Sequence, residues 1–122
     1  MAEGQAQTKR HPETVMVHGD KAVRGKDGEK LLVNGQRMAL RLWEREPTGA
    51  TKPEHTNPYE YVAYVIEGAL RITLNGHSFE VGKGDSYCVP ADEPYSLEIL
   101  EEATVVEATS PPERGPNTIR EE

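Results

Sequence analysis

The sequence predicts an all-β sandwich or barrel, and three features carry that expectation. The apolar residues come in short runs, none of which keeps a helical period for long. Gly, Pro, Asn and Asp separate the runs, in "VNGQ", "EPTGATKP", "LNGH", "VGKGD" and "VPADEP". Asn75-Gly76 stands between "LRITL" and "HSFEV", and both residues tolerate the positive φ that a two-residue type I′ hairpin requires.

Taken in order, residues 1–13 hold almost no bulky apolar side chain, cannot repay the entropy of ordering, and are expected to form a disordered N-terminal tail. The strands are then expected in "TVMVH", "KLLV", "MALRLW", "YVAYVIEG", "ALRITL", "HSFEV", "SYCVP", "YSLEIL" and "ATVVEA". In "MALRLWERE" the period of two puts Arg41 and Trp43 on one face and Leu40 and Leu42 on the other. Pro111, Pro112 and Pro116 close the regular structure, and residues 113–122 read as a loose, charged C-terminal tail.

Composition narrows the function. With 122 residues the chain fits one domain. A net charge of -7, with 14 scattered Lys and Arg, argues against nucleic acid as a partner. Cys88 is the single cysteine and has no internal disulfide partner. No run is apolar enough for a signal peptide or membrane helix, so the expectation is a cytoplasmic protein that does not engage a membrane.

Two spacings carry a family resemblance. From Gly49, five residues lead to His55, one to Asn57, three to Tyr61 and six to Gly68. From Gly84, five lead to Pro90, and Asp92, Tyr95 and Ile99 follow at the next frame positions. These resemble the two cupin motifs, G-x5-H-x-H-x3,4-E-x6-G and G-x5-P-x-G-x2-H-x3-N, separated here by the 15 residues 69–83. Within the family the chain resembles the small pectin-degradation type, through "YVIEG" and "SPPER". The resemblance covers residues 30–112 and implies a jelly-roll β-barrel, the double-stranded β-helix of RmlC-like proteins, expected over residues 14–112. It also implies a homodimer, for which exposed edge strands and "TVMVH" are the expected contacts, and a small-molecule pocket at one mouth of the barrel.

The resemblance places the family's four metal ligands at His55, Asn57, Tyr61 and Tyr95, and only the first keeps its residue type. An amide is a weak ligand, and holding a phenol ionised at neutral pH costs about 4 kcal/mol before any metal bond offsets it. The expectation is therefore no metal cofactor. Should one bind, His55 would hold it with Asn57, Tyr61 and a Glu60 turned inward by a bulge, although alternation points Glu54 and Glu60 away from that face.

Without metal, His55 can take a proton beside a carbonyl while Tyr61 or Tyr95 donates to the developing oxyanion, giving an isomerase, cyclase or lyase. Asn57, Tyr59, Arg41 and Trp43 are the candidate substrate-binding residues. Arg41 would clamp a carboxylate if it faced inward, and its expected place is the surface or a dimer interface. The competing readings are a non-catalytic ligand-binding cupin, with the same side chains lining a pocket as satisfied polar groups, and a metallocupin with atypical ligands. Cys88 is expected in a buried strand as an inert thiol, and His77 at the solvent-facing turn.

Overall fold

The computed structural model describes residues 15–113. The expected tail at 1–13, with His11, and all of the expected tail at 113–122 but Glu113 lie outside those residues. Eight strands form among the described residues: β1 (Val23–Arg24), β2 (Lys30–Asn34), β3 (Ala39–Glu46), β4 (Thr51–His55), β5 (Glu60–Leu74), β6 (His77–Gly82), β7 (Ser86–Val89) and β8 (Tyr95–Ser110). All their pairings are antiparallel.

β5 and β8 are paired along their whole length, from Glu60 opposite Ser110 to Leu74 opposite Tyr95. One half of this ladder extends through β3, β2 and β1 on one side and β7 on the other; the other half is flanked by β4 and β6. Buried side chains from both halves meet in one cluster, Tyr61, Ala63 and Val65 with Leu70, Ile72, Ile99 and Val105. The two halves thus face each other around a shared core, as in a jelly roll.

The bend between the halves sits at Gly68, where the register shifts. Gly68 has φ +88°, and a Cβ there would overlap the Glu102 carbonyl oxygen and lie 2.6 Å from the Ala103 Cα. Only glycine satisfies both demands. Bending without breaking is why "YVAYVIEG" and "ALRITL" make one strand, as do "YSLEIL" and "ATVVEA", rather than the four expected from the sequence.

Other local expectations divide. Asn75 (φ 51°) and Gly76 (φ 81°) make the hairpin turn between β5 and β6, and His77 beyond it is exposed. Asp92, which replaces the second motif's glycine, has φ 64°, a conformation that Asp tolerates better than most side chains. "TVMVH" forms no strand over its described residues: Val15 and Met16 are exposed and find no strand partner. β4 was hidden by the turn-like "GATKP"; Pro53 is accommodated because β4 is an edge strand with a register shift between Lys52 and His55. Cys88 lies in a strand but is exposed, because alternation in β7 buries Tyr87 and Val89 instead.

Gly68→Ala should destabilise the fold by at least about 2 kcal/mol, since it combines a left-handed backbone with a steric overlap. Urea unfolding measures this directly, and an unchanged midpoint would contradict the account of the bend.

Candidate functional site

A cleft of about 620 Å³ opens at one mouth of the barrel. β3 contributes Arg41, Trp43 and Glu46 to its lining, β4 contributes Lys52 and His55, and β8 contributes Tyr95. The loop between β4 and β5 adds Asn57 and Tyr59, and the turn before β2 adds Lys26, Asp27 and Glu29.

The four positions that match the family's ligand frame do converge. The His55 and Tyr95 rings lie 4.5 Å apart, Asn57 Nδ2 donates to the Tyr95 hydroxyl at 3.3 Å, and Tyr61 meets Tyr95 edge-on at 5.7 Å. His55 Nδ1 lies 2.9 Å from the Pro53 carbonyl. A carbonyl only accepts, so the proton sits on Nδ1 and the neutral ring keeps Nε2 as an acceptor. Asn57 is positioned in turn by its own carbonyl, which accepts from the Asp92 N–H at 2.7 Å.

Tyr61 does not line the cleft. It is 1% exposed and lies beneath it, packed against Tyr87 and Tyr95, because β5 alternation turns it straight into the core. Of the two expected oxyanion donors, Tyr95, although itself only 2% exposed, lines the cleft and Tyr61 does not. Burial pushes the Tyr61 and Tyr87 phenols up, with the Glu107 carboxylate adding to the effect. Burial also raises Tyr95, countered only in part by Tyr61 and the Asn57 amide.

Arg41 is 5% exposed, so its expected place on the surface or at an interface is wrong. Its Nε donates to Glu107 Oε1 at 2.5 Å and its Nη1 to the Tyr59 hydroxyl at 3.2 Å. Its guanidinium carbon lies between 5.4 and 5.6 Å from the ring centres of Trp43, Tyr59 and Tyr61. Burial works against the charge, but Glu107 and Tyr59 outweigh it and hold the guanidinium ionised above its ordinary value. Glu107 is opposite Arg41 across the β3–β8 ladder, which explains the pairing. The sequence contained that signal: in "ATVVEATS" Glu107 shares the face of Ala103, Val105 and Thr109, an acid at an inward strand position.

Lys52 lies over the Trp43 ring at 4.5 Å, so the indole is flanked by two cations. Glu29, 7% exposed, accepts the Asp27 N–H at 3.2 Å and ties down the turn at the rim of the cleft. Sequence reasoning missed Glu29, Glu46, Lys52 and Glu107, because their convergence depends on register and loop placement.

The donors at the family's ligand positions do not fit a transition metal. They comprise one imidazole nitrogen, an amide already engaged with Tyr95, and two phenols that burial keeps protonated. Glu60 is exposed, so no bulge turns it inward to complete a set. Among the described residues no three His, Cys, Asp or Glu side chains are grouped as metal ligands.

An antiparallel jelly roll with a polar cleft at one mouth defines a small β-barrel of the cupin class. The chain matches the Cupin domain family (Cupin_2) over residues 41–109 and belongs to that family. Structural relatives include KdgF from Halomonas sp., 18% identical with a TM-score of 0.69, over 79% of this chain and 91% of that one. An RmlC-like cupin from Shewanella frigidimarina is 20% identical with a TM-score of 0.69, over 79% and 89%. The cupin domain of Schizosaccharomyces pombe Cnp3 is 18% identical with a TM-score of 0.66, over 75% and 70%. At these identities the likeness establishes the fold. No curated protein sequence matches the chain. No helix among the described residues is long and apolar enough to cross a membrane.

Glu107→Ala should cost about 3–5 kcal/mol by stranding a buried guanidinium, whereas Arg41→Met combined with Glu107→Leu should cost much less. Denaturant unfolding of the two variants checks this; equal losses would mean that the pair is not the relevant unit.

Proposed function

We propose that the cleft binds a small oxygen-rich metabolite, of carbohydrate-derived type, and catalyses a metal-independent proton transfer of isomerase, cyclase or lyase type. The observation that carries this reading is the His55 Nδ1–Pro53 carbonyl contact, which reserves Nε2 as a base. Beside it, Tyr95 accepts from Asn57 and keeps its own hydroxyl proton to donate to a developing oxyanion. A cleft of about 620 Å³ suits a compact ligand, with Trp43, Tyr59 and Tyr95 as apolar and hydrogen-bonding walls.

A second reading, binding without turnover, is favoured by the pairing already present: Arg41 with Glu107 and Asn57 with Tyr95. Such pre-bonded groups are suited to shaping a pocket. Incubation with a mixture of uronic acids and β-hydroxy keto acids, followed by NMR, separates the two. His55→Gln should lower turnover at least about 100-fold while affinity changes little. Turnover undiminished in that variant would remove His55 from the base role, and saturable binding without any turnover would leave only the binding reading.

The reading includes a homodimer, supported by an outer sheet face rather than by the edge strands or "TVMVH". Register aligns Leu40 with Ala108, Leu42 with Val106, Val62 with Ala108 and Cys88, and Tyr64 with Val106. These outward side chains form a continuous apolar strip, in which Val62 is 50% and Tyr64 49% exposed. Light scattering should give twice the chain mass, falling to the monomer in Val62→Glu with Tyr64→Glu; a monomeric wild type would refute the dimer.

A further inference from the structure

The end of β3 breaks its own alternation. Ala39, Arg41 and Trp43 face inward opposite Thr109, Glu107 and Val105, so a regular strand would next turn Arg45 inward and Glu46 out. Instead the register shifts between Trp43 and Glu46, and Glu46 comes to lie opposite Ala103, which is fully buried. Arg45 takes φ 53°, unusual for a side chain of its size, and points to solvent, where it pairs with Glu102 at 3.0 Å. Its N–H donates to Thr104 Oγ1 at 3.0 Å. Bulges of this kind re-aim a side chain. Here the residue re-aimed is a carboxylate in the wall of the cleft that also holds His55.

Glu46 lines the boundary between the cleft and a smaller apolar cavity of about 70 Å³ that reaches Leu70, Leu97 and Ile99. It has no hydrogen-bonded partner among the described residues, in contrast to Glu29 and Glu107.

We propose that Glu46 is a second proton-transfer residue of the cleft, acting as the acid where His55 acts as the base. The proposal rests on the base reading of His55 and narrows the reaction to β-elimination from a β-hydroxy or β-alkoxy carbonyl compound. His55 Nε2 takes the proton from the carbon next to the carbonyl. The C–H electron pair forms an enolate, and when the enolate collapses its electron pair becomes the new C=C bond, the β C–O bond breaks and the departing oxygen takes the Glu46 proton. The carbonyl oxygen is held meanwhile by the Tyr95 hydroxyl. Product leaves as an unsaturated carbonyl compound and water or an alcohol; His55 returns its proton to solvent and Glu46 recovers one.

The surroundings of Glu46 suit an acid. Burial raises its carboxyl above the ordinary value, Lys52 on β4 and Arg24 on β1 pull it down, and Glu29 in the turn before β2 pushes it up again. Glu107 on β8 is the other carboxylate lining the smaller cavity. A carboxyl with a raised folded value favours folding where it is protonated, and that advantage is lost as pH rises through the folded value. Its ionised form is therefore a cost to the fold at neutral pH.

Two measurements on the intact protein decide the matter. In D2O, with the panel of uronic acids and β-hydroxy keto acids, wild type should incorporate deuterium beside the carbonyl and release unsaturated product. Glu46→Gln should keep the deuterium incorporation and lose product formation by about 100-fold, whereas His55→Gln should lose both. Elimination at the wild-type rate in Glu46→Gln, or loss of exchange together with elimination, overturns the acid role and leaves His55 as base. No exchange in wild type overturns both assignments. In urea, Glu46→Gln should unfold at a midpoint no lower than wild type at neutral pH, any gain shrinking as the medium is acidified; a lowered midpoint would mark Glu46 as structural and refute the proposal.

Discussion

The ladder between β5 and β8 is the constraint on which the rest of the molecule hangs. β3 and β4 pair with β8, β6 and β7 pair with β5, and β2 and β1 reach the ladder only through β3. Because both long strands cross from one half of the barrel to the other, their bend at Gly68 decides how the halves face each other. The core then follows from alternation: Tyr61, Ala63 and Val65 on β5 and Ala103, Val105, Glu107 and Thr109 on β8 all turn inward. A loss of register here would flip whole rows of side chains, and the cleft with them.

One of those inward positions is ionic, Glu107, and together with Arg41 on β3 it sets the character of the site. Arg41 and Glu107 neutralise each other inside the barrel, and Tyr59 joins Arg41 from the loop. The guanidinium also packs against three aromatic rings, so the pair acts as a polar anchor within an otherwise apolar stack. Arg41 is therefore committed to the protein. Groups with unspent capacity near the opening include the His55 Nε2, the Tyr95 hydroxyl proton and the Glu46 carboxyl.

Much of this was legible in the sequence, and the limits were physical. Asn75-Gly76 announced the hairpin because few other pairs accept its backbone, and the motif spacing placed His55, Asn57 and Tyr95 together because a shared barrel register fixes where those positions fall. Arg41 was misplaced because its partner is 66 residues away, a distance over which periodicity says nothing. Tyr61 was given the opening when alternation alone already turned it into the core. Cys88 was assigned to the interior from its apolar neighbours, although Tyr87 and Val89 beside it occupy the inward positions. β4 was invisible because Pro53 reads as a breaker, and only an edge position with a register shift accommodates it.

Pro53 has one more consequence. As an edge strand, β4 borders solvent on one side, and such a border is where a passing segment of another chain adds itself to a sheet. At Pro53 that border has no N–H to offer, and the carbonyl is already engaged by the imidazole of His55. A template for sheet growth is thereby interrupted at the same atom that dictates where the imidazole keeps its proton. An interruption of the sheet border and the placing of the imidazole proton thus rest on one residue.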